Sequence, residues 1–228
     1  MNYALLRVAT AVVGIGMMCG AVSAAPASPE WSGLFVGAEG GFSWADRSGC
    51  WNFGAPNEPN CATVQNSRRF AYTQSGWLGG FQVAYNWQLP SSFVFGLQGA
   101  FDIANITGSI PSGSSAGTGT WNALGLGTAK LGWTNGPLLL YGDAGFAAGN
   151  FNYAANSGCN FGMSHTGPAA GAGVGWKMSQ KLSLNVEYDH IWFDTLSAQC
   201  TGAHTNVEVK TGGGLDLVKF GLAYQLGQ

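Results

Sequence analysis

The sequence predicts an all-β fold, an eight-stranded antiparallel up-and-down transmembrane β-barrel, on three observations. Charged residues make up only 9% of the chain, against about 25% in typical soluble domains. Apolar residues recur at every second position in about eight segments of roughly 11 to 14 residues, the length at which a tilted strand crosses a bilayer. Short and long connections alternate between these segments, as they do in barrels that cross a membrane.

The composition narrows the class of protein further. Glycine accounts for 37 of 228 residues, well above the usual share of about 7%. A hydrophobic share of 46% with 13% aromatics excludes a disordered chain, and a net charge of -2 argues against nucleic acid as a partner. Sustained helical periodicity is absent, and no change in composition divides the chain, so a single β domain is expected.

The N-terminal residues have the layout of a secretory signal peptide. One positive residue, Arg7, precedes an uncharged apolar run that ends in small residues. Cys19 is compatible with a lipid anchor, but bulky methionines stand where that signal needs small residues. The sequence therefore predicts a signal peptide over residues 1–24 and an exported barrel domain over residues 25–228.

Each predicted strand has an apolar and a polar parity. The strands are expected at residues 32–44, 76–88, 93–104, 120–133, 138–149, 166–177, 182–193 and 214–226. From the first strand to the last, the apolar parity includes Val36, Val83, Phe95, Trp121, Leu140, Val174, Val186 and Leu222. The polar parity includes Glu39, Gln82, Asp102, Lys130, Asp143, Gly173, Glu187 and Lys219. In a narrow barrel the apolar parity faces lipid and the polar parity faces the lumen.

The connections and the aromatic residues place the two rims. Tight turns are predicted at 89–92, 134–137 and 178–181, and long loops near 45–72, 105–119, 150–165 and 194–213. Aromatic girdles are expected at both membrane interfaces. On the side of the tight turns these are Trp87, Phe93, Trp133, Trp176 and Tyr224, and on the side of the long loops Trp44, Tyr72, Trp121, Phe146 and Trp192.

Six motifs along the chain resemble the strand repeats of a known family. They are WSGLFVGAEGGFSW (31–44), GGFQVAYNWQ (79–88), GTAKLGW (127–133), GAGVGW (171–176), LSLNVEYDH (182–190) and VKFGLAYQL (218–226). They are similar to the porin-like small outer-membrane proteins, which are eight-stranded surface antigens of Gram-negative alphaproteobacteria. The family's usual terminal aromatic residue is replaced by Leu226, and an acidic residue near the end of the sixth strand by Gly175.

The resemblance implies a protein of the cell outer membrane with a structural or porin-like role. Its expected partners are outer-membrane lipid, lipopolysaccharide and the outer-membrane assembly machinery. The alternative is a surface binding or adhesion protein, in which disulfide-tied loops recognise a host surface or a small molecule. Loop aromatics that could contact such a ligand, or simply pack, are Trp51, Phe53 and Tyr153. A soluble calycin-type carrier is the rival at the level of the fold.

Four cysteines remain after the predicted signal peptide, all in predicted outer loops. They are Cys50, Cys61, Cys159 and Cys200. Three pairings are possible, and we favour joining the first to the second and the third to the fourth, because each pair then spans nearby loops. The rival is a metal site, since His165 shares a loop with Cys159 and His204 shares one with Cys200.

Charged residues on the polar parity form the second candidate site. Glu39, Lys130, Asp143, Glu187 and Lys219 lie at similar depth, about four to seven residues from the tight-turn rim. Because the last strand pairs with the seventh and the first, Lys219 can lie between Glu187 and Glu39, with Lys130 beside Asp143. Charges inside so narrow a barrel must be paired. They form either a structural plug or a narrow, cation-favouring gate.

No catalytic or cofactor site is predicted. His190 lies near Asp189 and Asp194 in sequence, but adjacent strand residues face opposite sides and no serine stands in a nucleophile context. The glycine-rich run at 171–175 lacks the dinucleotide-binding spacing and a following helix, so it is expected to serve close packing. The sequence thus favours a protein that is not an enzyme and has no cofactor.

Overall fold

The computed structural model describes residues 30–52, 67–110, 116–156, 158–202 and 208–226. These ranges hold eight long strands and a two-residue strand. They are β1 (Gly33–Asn52), β2 (Ser67–Gln88), β3 (Phe93–Ile110), β4 (Gly117–Asn135), β5 (Leu138–Ala155), β6 (Cys159–Lys177), β7 (Leu182–Gln199), β8 (Thr201–Gly202) and β9 (Glu208–Leu226). Within those ranges, no helix is long and apolar enough to cross a membrane. The predicted signal peptide lies outside the described residues.

The long strands close into a single ring. Their order is β5-β4-β3-β2-β1-β9-β7-β6, and β5 also pairs with β6, so the sheet has no free outer edge of its own. Every pairing between long strands is antiparallel. The short β8 adds only to the end of β6. The predicted eight-stranded antiparallel barrel is therefore confirmed.

The strands are longer than the sequence pattern predicted. They run for 18 to 22 residues, where the apolar alternation indicated roughly 11 to 14. Most of the long loop expected at 150–165 is strand, because β5 and β6 are joined through residues 156–158 alone. The strands continue past the point where their outward side chains stop being apolar, and the alternation could not reveal that continuation.

The outer surface of the wall carries an apolar belt bordered by aromatic side chains. At the tight-turn rim the exposed aromatics are Trp87, Phe93, Trp133, Trp176 and Tyr224, as predicted. At the opposite border Trp44, Phe146 and Trp192 are exposed as predicted. Tyr72 and Trp121 were wrongly placed there, because both face the lumen. A β-bulge between Trp121 and Ala123 reverses the parity of β4.

Above the belt the polarity of the wall is reversed. On β5 the last outward aromatic is Phe146, and beyond it Asn150 and Asn152 face outward while Phe151 and Tyr153 are buried inside. A surface that leaves lipid and enters water requires polar residues outside. Because the tight turns of such barrels face the periplasm, the strands beyond the opposite aromatic border form an extracellular half that is built like a soluble barrel.

Three layers of side chains fill the lumen. The periplasmic layer consists of Trp31, Phe35, Val94, Leu139, Tyr141 and Ala223. The central layer is charged and includes Glu39, Asp102, Lys130, Asp143, Glu187, Asp189 and Lys219, all buried. The extracellular layer is an apolar core that includes Leu78, Ile106, Trp121, Leu124, Phe151, Phe161, Ile191, Phe193, Val209, Leu215 and Leu217. The barrel is packed along its length, as expected for eight strands.

Glycines facing the lumen make room for these side chains. A Cβ atom on Gly171 would overlap the carboxylate of Asp189, and one on Gly221 would overlap the amide of Asn185. The glycine-rich run at 171–175 therefore serves close packing in a strand, as predicted. Where the family has an acidic residue, Gly175 instead leaves space for the ring of Trp31.

One seam interrupts the wall in the extracellular half. The ladder between β6 and β7 runs from Lys177↔Ser183 only as far as Ala169↔Ile191, although both strands continue beyond those residues. Pro168, which has no backbone N–H, lies at the end of this ladder. β7 bulges after Phe193 in its pairing with β9. A proline and a bulge together account for the loss of pairing.

Candidate functional site in the barrel lumen

Lys219 is the centre of the charged layer. Its Nζ lies 2.9 Å from Glu187 Oε1, 3.0 Å from Asp189 Oδ2 and 3.7 Å from Glu39 Oε1. Register places it there, because Glu187 is the direct partner of Lys219 between β7 and β9, and Gly41 of β1 faces it on the other side. The structure thus brings Lys219 between Glu187 and Glu39.

Lys130 contacts different groups from those expected. It is the direct cross-strand partner of Asp143, but its Nζ donates to Gln98 Oε1 at 2.6 Å and lies 3.8 Å from Glu187 Oε2. The same Nζ stands 3.8 Å from the centre of the Tyr141 ring, whose hydroxyl donates to Glu187 Oε2 at 2.8 Å. Glu187 therefore links both lysines, whereas no hydrogen bond joins Lys130 to Asp143.

Sequence reasoning left out four residues that lie in this charged layer or border it. Asp102, Asp189, Gln98 and Tyr141 all lie on the polar parity that was assigned to the lumen, and all are buried in it. The parity of the strands could have identified them, because Asp189 and Tyr141 each lie two positions from an identified residue, and Gln98 and Asp102 share the inward parity of β3. The predicted lumenal site included only charged residues for which a pair with an opposite charge could be proposed.

The periplasmic end of the lumen is closed by aromatic rings and a lysine. The rings of Trp31 and Phe35 lie 6.3 Å apart, and the Lys177 ammonium lies 5.5 Å and 5.3 Å from their centres. Lys177 also donates to the side chain of Gln225. A cavity of about 40 Å³ remains between this closure and the charged layer, which is room for only a few water molecules.

In the extracellular half an arginine is inserted between aromatic rings. The Arg47 guanidinium carbon lies 5.2 Å from the centre of Trp121 and 4.9 Å from that of Phe151. Its Nη2 donates to His165 Nε2 at 3.3 Å and to Thr211 Oγ1 at 3.2 Å. Burial lowers the pKa of Arg47 from its ordinary value. The guanidinium remains a cation, because the ordinary pKa of arginine lies far above neutrality.

His165 spans the seam between β6 and β7. Its Nδ1 donates to the backbone carbonyl of Asp194 at 3.0 Å, while Nε2 accepts from Arg47. Burial and the adjacent Arg47 charge lower the pKa of His165 to about 4. The ring is therefore neutral at pH 7, with its proton on Nδ1. Its bond to Asp194 joins the two strands where their backbone ladder has ended.

A disulfide joins the two strands above the seam. Cys159, the first residue of β6, is bonded to Cys200, with a Cα–Cα distance of 4.9 Å. Cys50 is also disulfide-bonded, whereas Cys61 and His204 lie outside the described residues. The rival metal site is not supported, because the sulfurs of Cys159 and Cys200 are bonded to each other.

Residues 14–224 match the family model described as the outer membrane protein beta-barrel domain. The chain belongs to this family. It is 29% identical over 196 residues to the 31 kDa outer-membrane immunogenic protein of Brucella melitensis biotype 1, covering 79% of this chain and 80% of that protein. The protein of the same name from Brucella suis biovar 1 matches equally well. Location in the cell outer membrane is thereby established.

A solved structure shows the same fold. The outer membrane protein OprG of Pseudomonas aeruginosa superposes with a TM-score of 0.53 at 12% identity, covering 86% of this chain and 97% of that chain. At this identity the likeness concerns the fold alone. The identification of the chain as an outer-membrane barrel also excludes the soluble carrier as its fold.

Two groups of residues from the sequence analysis lie elsewhere on this outer-membrane barrel. His190 faces outward and donates from Nδ1 to Asp216 Oδ1 at 2.7 Å, whereas Asp189 faces the lumen. The rings of Trp51 and Tyr153 are buried in the lumen, with centres 5.5 Å apart, so they pack rather than project as ligand contacts. Phe53 lies outside the described residues. The absence of enzymatic activity stays a prediction.

Proposed function

We propose that the protein is a structural, non-conducting barrel of the outer membrane. The observation that carries this proposal is the filled lumen, in which aromatic, charged and apolar layers follow one another. The free space of about 40 Å³ next to the charged layer is far smaller than a hydrated solute requires. The charges on Lys219 and Lys130 are held by Glu187 at the centre of the barrel, which supports a plug.

Single-channel recording in planar bilayers tests this proposal. The refolded barrel is expected to show negligible conductance, and so is Lys219→Ala, because the aromatic layers on either side of Lys219 remain. Discrete channels in the unaltered protein would contradict a closed barrel. Channels that appear only in Lys219→Ala would instead show that the charged layer is a gate. A porin refolded by the same procedure serves as the positive control.

A second candidate function, surface recognition, is supported by the extracellular half. Its outward residues are polar, and the disulfide between Cys159 and Cys200 holds the ends of β6 and β7 together. This polar, disulfide-tied outer surface, which we call the platform, suits contact with a host surface or a small molecule. Outer-membrane lipid and lipopolysaccharide around the aromatic belt, and the assembly machinery during insertion, remain proposed partners.

Exposure of this platform is testable on intact cells. We expect Asn152→Cys, which places a thiol on the outward face of β5 above the aromatic border, to react with a membrane-impermeant maleimide. Ser179→Cys lies in the tight turn between β6 and β7 and should react only after the cells are opened. The reverse pattern would mean that the orientation is inverted and that the platform faces the periplasm.

A further inference from the structure

The seam between β6 and β7 opens into a slot in the extracellular wall. At its lower end the strands are still in contact, because a Cβ atom on Gly167 would overlap the carbonyl oxygen of Trp192. At its upper end the disulfide holds the Cα atoms of Cys159 and Cys200 4.9 Å apart. Between these contacts lies a cavity of about 460 Å³, within the range of about 300 to 1,000 Å³ that is usual for ligand sites. The slot is therefore bounded at both ends and large enough for a ligand.

Strand edges border this slot on both sides. Its lining includes four consecutive residues of β6, 161–164, and four of β7, 196–199. Successive side chains of a strand point to opposite faces of the sheet, so an unbroken run of four must border the slot with its backbone edge. No backbone hydrogen bond joins the two runs, and both lie within the described part of the chain. Each edge thus presents N–H and C=O groups without a partner strand, which is a template for pairing.

The surroundings of the slot exclude several kinds of ligand. None of the nine residues that line it is charged, and the side chains include those of Met163, Leu196, Ser164 and Ser197. An ion or a phosphorylated headgroup would find no opposite charge among them. The lining residues of β7 lie beyond Trp192, which marks the border of the apolar belt, so the slot faces water and not lipid chains.

We propose that the slot binds a short extended peptide segment, which pairs with β6 on one side and with β7 on the other. A peptide backbone repeats its N–H and C=O groups at the spacing of a strand, about 3.3 Å per residue, and strand addition to an exposed edge is a common mode of peptide recognition. Because β6 and β7 are antiparallel, the segment is antiparallel to one of them and parallel to the other, and both kinds of ladder are stable.

The dimensions and chemistry of the slot define the segment. Four residues of each strand line it, so pairing extends over about four residues and the flanking parts of the partner turn away from the wall. The uncharged lining favours uncharged side chains. This inference gives the surface-recognition function a class of partner, and it rests on that proposed function only in requiring the slot to face the cell exterior.

Hydrogen exchange of the refolded barrel, followed by mass spectrometry, tests the proposal. The probe is a hexapeptide of alternating threonine and valine, blocked at both ends, because β-branched residues favour an extended backbone. At millimolar concentration it should slow exchange of the slot-facing amides within 161–164 and 196–199 by at least about tenfold. Amides at 169–177, which already pair with β7, should not change. The same peptide with N-methyl groups on alternate residues keeps its side chains but loses donors, and should have no effect.

A dye attached near the slot gives a second readout. Ser197 borders the slot, whereas Thr107 lies on β3, and both side chains are exposed, so neither substitution disturbs packing. An environment-sensitive dye on Ser197→Cys should respond to the unmethylated peptide, and one on Thr107→Cys should not. Equal responses at both positions would contradict a site in the slot.

Three results of the exchange experiment would overturn the proposal. They are no slowing by the peptide, equal slowing by the N-methylated peptide, or slot-facing amides that are already protected before peptide is added. The last result would show that another part of this chain pairs there. Labelling of Asn152→Cys on intact cells reports the exposure of the platform independently, so a slot that binds no peptide and a platform that faces the periplasm are distinguishable outcomes.

Discussion

In the membrane half and the extracellular half of the barrel alike, successive side chains alternate between the outer surface and the lumen. Apolar residues face outward in the membrane half and inward in the extracellular half. On β5, Leu140 and Phe146 face outward in the membrane half while Asp143 faces the lumen. In the extracellular half of the same strand, Asn152 faces outward and Phe151 is buried. The strand is continuous, so the difference follows from the medium outside it, which changes from lipid to water.

The two halves are consequently stabilised by different forces. In the membrane half an outward apolar side chain moves from water into lipid on folding, and its truncation leaves no cavity because lipid fills the space. The backbone hydrogen bonds of the closed ladder and the pairing of lumenal charges are decisive there. In the extracellular half the removal of aromatic rings from water stabilises the fold, as it does in a soluble protein. Substitutions of the same residue type in the two halves should separate these contributions.

The largest effect is expected from removing an extracellular core tryptophan. Trp121 is completely buried and stacks on Phe193 with ring centres 4.6 Å apart. Trp121→Ala should lower the free energy of unfolding by about 3 to 5 kcal/mol, the usual cost of a large cavity, as measured by urea titration in detergent. Trp192→Ala is the matched control, since Trp192 is outward and 51% exposed, and should cost less than half as much. Equal losses would show that the two faces are not energetically distinct.

The fold was predictable from the sequence where one rule applied throughout. In the membrane half, Trp77, Val83 and Trp87 alternate with Gln82 and Asn86. This period of two predicted the number of strands, the closed barrel and the side chains that face the lumen. The strands of the extracellular half were misread as loops, because their polar residues face outward and their apolar residues face the lumen. Trp121 was misplaced for a second reason, since a bulge after it shifts the parity by one residue, and a bulge leaves no mark in a hydropathy pattern.

The lumenal site was predictable only in part for a related reason. Opposite charges at equal depth identify which residues share a layer, and the register of the strands determines which of them are neighbours. Asp143 and Lys130 are neighbours by register, but the flexible lysine side chain reaches Gln98 and Glu187 instead. Side-chain rotamers of this kind do not follow from spacing. The excess of acidic groups did follow from the composition of the polar parity.

Removing the disulfide should weaken the extracellular half and leave the membrane half unchanged. Cys159 and Cys200 are 41 residues apart in sequence, and closing a loop of that size contributes about 4 kcal/mol. In the double variant Cys159→Ser, Cys200→Ser, hydrogen exchange should quicken over residues 160–168 and 192–199, on either side of the seam. Amides at 169–177, which are paired with β7, serve as the internal control. Uniform acceleration would mean that the bond stabilises the entire barrel.

A charge placed on the outer face should be tolerated in one half and not in the other. Val83 is 42% exposed at the middle of the apolar belt, so Val83→Arg should cost about 2 to 4 kcal/mol near the bilayer midplane. Thr107, on the outward face of β3 above the belt, provides the matched substitution Thr107→Arg, which should be nearly neutral. Unfolding from lipid vesicles measures both. A neutral Val83→Arg would mean that the inner and outer faces are reversed.

The smallest effect concerns the histidine that bridges the seam. Because the pKa of His165 is lowered to about 4 in the folded barrel and is about 6.5 in an unfolded chain, the unfolded state binds more protons between these values. Stability should therefore fall as pH decreases through that window, by roughly 2 kcal/mol between pH 7 and 4.5. The quantity to compare is the pH dependence of the unaltered protein minus that of His165→Gln, which keeps a polar side chain at the seam, so that protonation elsewhere in the barrel cancels. If the two proteins lose stability in parallel on acidification, His165 is not the group responsible. If His165→Gln loses less, the extracellular half contains its own acid-sensitive contact, independent of the charged layer within the membrane.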